Sequence, residues 1–308
     1  MRAFKYLIVL FSILSCVGKD KIPVIQIKKL NAYPSASSIE YFDSKLYLLG
    51  DDATDILVLD TNLNMIDSIP LISYPEKRIP KDIKPDLEAS ALNADNLFLF
   101  GSGSLSPYRN FGWRHNLKTK DNDSTNLEPL FLKIKELGIE QINIEGACFV
   151  SGKLILVNRG NKGYPHNHFI ITDERSWTND SSFQISIIPF EIQKDTASFK
   201  GISGLCYVKE SDKLIMTVST ENTKNSYDDG EIGKSYLWMI NNISTKLNSK
   251  TISPDRIIDL EEIDPRFKTQ KIESATVMSE TKELINLVLV ADNDDGSSTI
   301  YKLSIKRD

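Results

Sequence analysis

Apolar and polar positions alternate along this chain in short bursts, with few long helical stripes. The clearest burst is Ile144, Glu145, Gly146, Ala147, Cys148, Phe149 and Val150. Ser151 and Gly152 follow, and then Lys153, Leu154, Ile155, Leu156, Val157, Asn158, Arg159 and Gly160. Two apolar runs too short for helices, joined by a two-residue turn signal, predict a β-hairpin. Weaker copies start at Ser37, Glu88, Ser203 and Glu273. Their register is countable. Ser37 to Leu46, Glu88 to Leu97 and Glu145 to Leu154 are each nine apart, whereas Ser203 to Leu214 and Glu273 to Leu284 are eleven apart, as a longer turn gives. The first position is acidic or Ser in every copy, and the next is Ser, Ala, Gly, Gly or Ser, always small.

Between copies the pattern predicts further strands. Residues 55–60 and 65–70 extend the first copy, with a turn at Asp60, Thr61 and Asn62. The copies stand 51, 57, 58 and 70 residues apart. About four short strands per unit, recurring at such a spacing, predict a β-propeller with loops of variable length. The fold class is therefore all-β, a five-bladed propeller, with six blades as the alternative. The last unit runs out of chain after three strands, near 298–306. Residues 24–30 are expected to supply its fourth strand and close the ring, which ties down both ends and removes a sheet edge. Leu130, Ile134 and Leu137 have helical spacing, so a short helix is expected within 127–138, interrupting the second blade. Residues 106–125 and 222–233 read as long loops.

The extreme N-terminus departs from this pattern. Arg2 and Lys5 precede a mostly apolar run from Tyr6 to Leu14, and Ser15 and Cys16 follow. A basic start, a short apolar stretch and a small residue before the cut predict a secretory signal over 1–15. The run is too short to span a bilayer. Ile13, Leu14, Ser15 and Cys16 resemble a bacterial lipobox. Cys16 is then the expected lipidation site, 16–21 a tether, and 22–308 a single propeller domain. The expected location is exported and lipid-anchored to a bacterial membrane, in the periplasm or on the outer membrane, with the outer membrane favoured. A plain signal peptide with a chance cysteine is the alternative. Net charge is −5 and no basic run exceeds a few residues, which argues against nucleic acid as a partner.

In a propeller the first strand of each blade lines the axis. Ser37, Glu88, Glu145, Ser203 and Glu273 are thus expected at one mouth. The second strands return there with Asp51 and Asp52, Ser102 and Ser104, Asn158 and Arg159, Ser219 and Glu221, and Asp292. Clustered carboxylates need cations, protons or hydrogen bonds. Glu88, Glu145, Glu273 and Asp292 are candidate ligands for a hard cation such as Ca²⁺. The alternative is that they satisfy neighbouring backbone groups or hold channel water. Arg109, Arg159, Asn158 and Asp52 are candidates for gripping a small anionic ligand, since arginine takes carboxylate or phosphate bidentately. For Arg159 an internal ion pair with Glu145 or Glu88 is the competing expectation. His115, His166 and His168 are the three histidines, and no third stands at ligand spacing to the last two, which disfavours zinc. Ser203 lies in no nucleophile elbow. Cys148 and Cys206 occupy matching positions in neighbouring copies, as a disulfide or as two small core residues.

The starts Leu87-Glu88-Ala89, Ile144-Glu145-Gly146, Ile202-Ser203-Gly204 and Ile272-Glu273-Ser274 each lead into an apolar strand. Strand ends such as Gly50-Asp51-Asp52, Asn158-Arg159-Gly160 and Ala291-Asp292 follow. Together they resemble the exported bacterial propellers known as SdiA-regulated and esterase-like phytase. That resemblance implies the propeller, an association with calcium, and the name implies phosphoester hydrolysis. Two functions stay open: a binding or scaffold module that engages a ligand, Ca²⁺ or a protein partner at the funnel, and a metal-assisted phosphoesterase or other hydrolase. Whether the protein is an enzyme is left open by the sequence.

Overall fold

A computed structural model describes residues 24–33, 35–178, 182–191, 199–221, 230–292 and 296–307. Strand β1 (Val24–Leu30) begins it. Five antiparallel four-stranded sheets then form a ring. The first holds β2 (Ala36–Phe42), β3 (Lys45–Gly50), β4 (Asp55–Asp60) and β5 (Met65–Pro70). The second holds β6 (Leu87–Asn93), β7 (Asn96–Gly101), β8 (Phe111–Asn116) and β9 (Asn122–Asn126). Helix α1 (Glu128–Glu136) leads to the third, with β10 (Ile144–Val150), β11 (Lys153–Asn158), β12 (His168–Thr172) and β13 (Ser186–Pro189). The fourth holds β14 (Lys200–Val208), β15 (Lys213–Glu221), β16 (Ile232–Asn241) and β17 (Arg256–Asp259). The fifth holds β18 (Lys271–Glu280), β19 (Leu284–Asp292) and β20 (Ser298–Lys306). Strand β1 pairs antiparallel with β20 as the fourth strand of that last blade, so the ring closes as the truncated final repeat predicts.

Each inner strand touches the inner strands of both neighbouring blades, from β2 through β6, β10, β14 and β18 back to β2. Period-two alternation sends side chains to both faces of a blade, and both faces are buried. Ile155 and Val157 join a core shared with the fourth blade, whereas Leu154 and Leu156 join one shared with the second. Five such cores fill the five gaps. Helix α1 inserts Leu130, Phe131 and Ile134 between blades two and three. It follows the complete second blade and interrupts no sheet.

Residues 106–125, read from sequence as a loop, instead contain β8 and most of β9. The sequence of β9 is Asn122, Asp123, Ser124, Thr125 and Asn126, with no apolar alternation, because an outermost strand faces solvent. Most of the second expected loop, 222–229, lies outside the described residues, as do Cys16 and the whole of 1–23. Among the described residues no helix is long and apolar enough to cross a membrane.

One irregularity recurs in all five blades. The ladder between first and second strand skips a residue between Ala36 and Ser38, Leu87 and Ala89, Ile144 and Gly146, Ile202 and Gly204, and Ile272 and Ser274. The skipped residues are Ser37, Glu88, Glu145, Ser203 and Glu273, the first positions of the repeat. A β-bulge leaves one residue unpaired and re-aims its side chain. The repeat is thus a bulge repeat, and it singles out one side chain per blade at the mouth of the axis. The small residue beside it allows close approach. A Cβ on Gly146 would stand 2.8 Å from the Leu205 nitrogen, and one on Gly204 would stand 2.5 Å from the Glu273 carbonyl.

Candidate functional site

The bulge residues and the ends of the second strands converge on one mouth of the channel. They form two charge networks. Over blades three to five, Arg159 is buried and Glu145 accepts from its Nη1 at 3.2 Å. Its Nη2 reaches Ser219 Oγ at 3.0 Å and Glu221 Oε2 at 3.0 Å. Lys271 Nζ pairs with Glu273 Oε1 at 2.9 Å and with Glu221 Oε2 at 3.6 Å. Asn143 Nδ2 donates to Glu145 Oε1 at 2.7 Å. Three carboxylates thus share two cations, and each has a partner. The Arg159 side chain crosses Gly201, where a Cβ would stand 2.2 Å from Nε. Only glycine leaves room for it.

Over blades one and two the inventory is the same and the pairing differs. Asp51, Asp86 and Glu88 each offer a carboxylate oxygen within 4.8 Å of the others. Lys84 Nζ pairs with Asp51, and with Asp86 Oδ1 at 2.7 Å. Arg109 is 2% exposed and donates through Nη1 to Asp86 Oδ2 at 2.6 Å and Ser104 Oγ at 2.8 Å, and through Nη2 to the Lys81 carbonyl at 3.2 Å. Ser102 Oγ donates to Asp86 Oδ2 at 2.6 Å. Glu88, again one of three carboxylates sharing two cations, accepts no hydrogen bond and makes no ion pair among the described residues. Asp51 Oδ1 is buried and unpartnered as well.

The electrostatics follow from this arrangement. Burial, and then the charges of Asp86, Asp51 and Glu145, push the Glu88 carboxyl well above the usual carboxylate range, and Lys84 opposes this only in part. Burial also raises Asp51, to about 6, against the pull of Lys84. Burial would raise Asp86 too, but Lys84 and then Arg109 outweigh it and hold it low. In the other network burial raises Glu145 despite Arg159, while Glu221 is held low by Lys271 and Arg159 against its burial. Beside the acidic triad a cavity of roughly 360 Å³ opens, lined by Asp51, Asp52, Arg78, Lys84 and Asp292.

The residues expected from sequence fall into distinct places. Glu88 lies in the triad. Glu145 and Glu273 lie in the paired network with Arg159. Arg109 binds Asp86 across the triad. Asp52 Oδ2 accepts from Arg78 Nε at 2.8 Å, and Asp292 lines the same cavity. Asn158 serves the entry to its own blade: its Oδ1 accepts from Asn143 N at 2.7 Å and its Nδ2 donates to the Gln141 carbonyl at 3.0 Å. Both guanidiniums expected to hold an anion are bonded to internal carboxylates. Cys148 and Cys206 are buried free thiols. His166 and His168, with ring centroids 6.2 Å apart, stand with Tyr164 and join no group of three metal-ligating side chains among the described residues.

Five participants were missed from sequence: Arg78, Lys84, Asp86, Asn143 and Lys271. Asp86 and Lys271 each precede the bulge residue by two, as do Ser35, Asn143 and Gly201 in the other copies. That column supplies a hydroxyl, a carboxylate, an amide, open space and a cation in turn.

Fold and mouth together define a class: a closed five-bladed propeller with an acidic funnel, paired throughout on one side and in part on the other. The chain belongs to a family of unknown function, DUF6929, whose profile matches residues 32–305. No curated protein matches it in sequence. Among solved structures it is similar to Myxococcus xanthus glutaminyl cyclase, at 8% identity and a TM-score of 0.48, over 93% of this chain and 97% of that one. It is similar to streptogramin B lyase at 9% identity and a TM-score of 0.41, over 90% and 97%. A DUF4221 member from Bacteroides vulgatus gives 11% identity and a TM-score of 0.38, over 94% and 100%. At these scores none bears on the chemistry of this funnel.

Proposed function

We propose that the funnel mouth binds a hard cation through Glu88, Asp51 and Asp86, with Ca²⁺ as the ion to test, and that the protein is a binding module held at a bacterial membrane by a lipid on Cys16. The observation that carries this reading is Glu88. It is a half-buried carboxylate with no hydrogen bond among the described residues, beside two others, of which Asp51 lines the cavity. A divalent ion supplies the charge that Lys84 and Arg109 leave uncovered. The Lys84 ammonium lies between Asp51 and Asp86 and is the internal competitor of such an ion. Asp292, Glu145 and Glu273 add negative potential around the mouth. In the metal-assisted phosphoester hydrolysis that the motif resemblance implies, Arg109 and Arg159 would hold the anion. Arg109 and Arg159 are both engaged by carboxylates, so binding is the better-supported role.

The test is calorimetric titration of Ca²⁺ into chelator-stripped protein and into the Glu88→Gln variant at pH 7.5. Saturable binding to the wild type, at least tenfold weaker in Glu88→Gln, is expected. No saturable heat, or equal affinity in the variant, sinks the reading. The anchor has its own test. Cys16→Ala should move the protein from the membrane fraction to the soluble exported fraction, and unchanged membrane association defeats it.

A further inference from the structure

The opposite mouth of the channel carries a second cavity, of roughly 490 Å³, to which all five blades contribute. That volume suits a small organic ligand. Its wall holds one carboxyl, Glu40 on β2. Glu40 Oε1 accepts a hydrogen bond from Ser90 Oγ at 3.1 Å, and no ion pair to Glu40 exists among the described residues. Three half-buried aromatic rings from three blades line the same space. Each is held in place. Tyr41 packs on the core between blades five and one. Phe149 lies against Phe98 with ring centroids 5.5 Å apart. Tyr207 donates its hydroxyl to Asp212 Oδ1 at 3.1 Å.

We infer that this cavity binds a small organic ammonium ion, with Glu40 as counter-charge and Tyr41, Phe149 and Tyr207 as an aromatic surround. Aromatic faces attract cations, most strongly where water is excluded. A carboxyl in such a place lacks a counter-charge until one arrives. Burial pushes Glu40 up to about 8, with Ser90 pulling the other way. The remaining titratable groups facing it are the Cys148 and Cys206 thiols, both raised by burial and thus neutral, and Lys209 at the exposed rim. Binding an ammonium ion therefore requires Glu40 to release its proton. Affinity follows the ionised fraction of Glu40, rising roughly five- to tenfold per pH unit from 6 to 8 and flattening above.

Tetramethylammonium, titrated by calorimetry and by saturation-transfer NMR at pH 6, 7, 8 and 9, tests this. The neutral comparator is tert-butanol. Expected are saturable tetramethylammonium binding, the stated pH profile, and at least tenfold weaker binding of tert-butanol. Glu40→Gln mimics the protonated carboxyl, and its binding should fall at least tenfold at pH 8. Four results overturn the inference: no saturable binding at any pH, a flat pH profile, equal binding of tert-butanol, or full affinity in Glu40→Gln. The wild-type pH profile decides the matter even if the variant folds poorly. The fate of the Ca²⁺ reading at the other mouth does not enter, because that site uses Glu88 and this one Glu40.

Discussion

The two halves of the funnel mouth contain the same inventory, three carboxylates and two cations, and differ in who is left over. Over blades three to five, Arg159 and Lys271 reach Glu145, Glu221 and Glu273, and every carboxylate has a cationic partner. Over blades one and two, Lys84 and Arg109 both converge on Asp86, and Glu88 is left out. The lesson concerns geometry, not net charge. A buried acidic cluster is structural when its cations are spread among its members. It is a candidate site when the cations double up on one member and strand another.

Breaking the paired half should have the largest effect. Arg159→Ala leaves Glu145 and Glu221 buried without their shared partner and should cost about 3–5 kcal/mol in urea unfolding. A loss below about 1 kcal/mol would mean that the network is solvated and the comparison is misdrawn. Gly201→Ala comes next. The new Cβ would meet Arg159 Nε at 2.2 Å and force that side chain aside, at a cost of about 1–3 kcal/mol by the same measurement. A neutral result would show that Arg159 has another path. Lys84→Met removes the competitor inside the triad. It should tighten Ca²⁺ binding at least tenfold while lowering the melting temperature by a few degrees, and unchanged affinity would place the ion elsewhere.

The smallest expected effect is in pH dependence, and its sign follows from the direction of the shift at Glu88. The folded state keeps a proton there that the unfolded chain releases near the ordinary Glu range. The unfolded state therefore binds fewer protons, and stability falls as pH rises from about 4.5 towards the raised folded value. Glu88→Gln removes that penalty. Its stability should match wild type near pH 4 and exceed it by about 1 kcal/mol at pH 8. A pH-independent difference would contradict the assignment.

Much of the fold was legible because the repeat is carried by packing. Leu46, Leu97 and Leu154 stand nine residues after the bulge position and Leu214 eleven, all buried in inter-blade cores, whereas Leu284, the fifth of the series, is exposed. The closing strand was legible from the missing fourth strand of the last repeat. Strand β9 was not, since an outermost strand of Asn, Asp, Ser and Thr has no burial pattern to read. At the mouth, the ring of Ser37, Glu88, Glu145, Ser203 and Glu273 was legible. The pairings were not, for two reasons. The bulge re-aims each ring residue, so simple alternation misjudges its neighbours. The deciding cations, Lys84 and Lys271, also stand before the repeat's first position. The Arg159–Glu145 pair was among the alternatives that the sequence left open, but the contribution of Glu221 from the next blade was not.

Glu88 is left without a cationic partner while Glu273 is paired with Lys271. The most direct measurement is the urea-unfolding stability of Glu88→Gln and Glu273→Gln at pH 8 without divalent ions. Opposite signs are expected. Glu88→Gln gains stability by removing a carboxyl that the fold holds protonated and the unfolded chain ionises. Glu273→Gln loses about 1–2 kcal/mol because Lys271 is left with a weaker partner at the 2.9 Å contact. If both variants lose stability, or both gain it, the two halves of the mouth are alike and Glu88 has no claim to be the site.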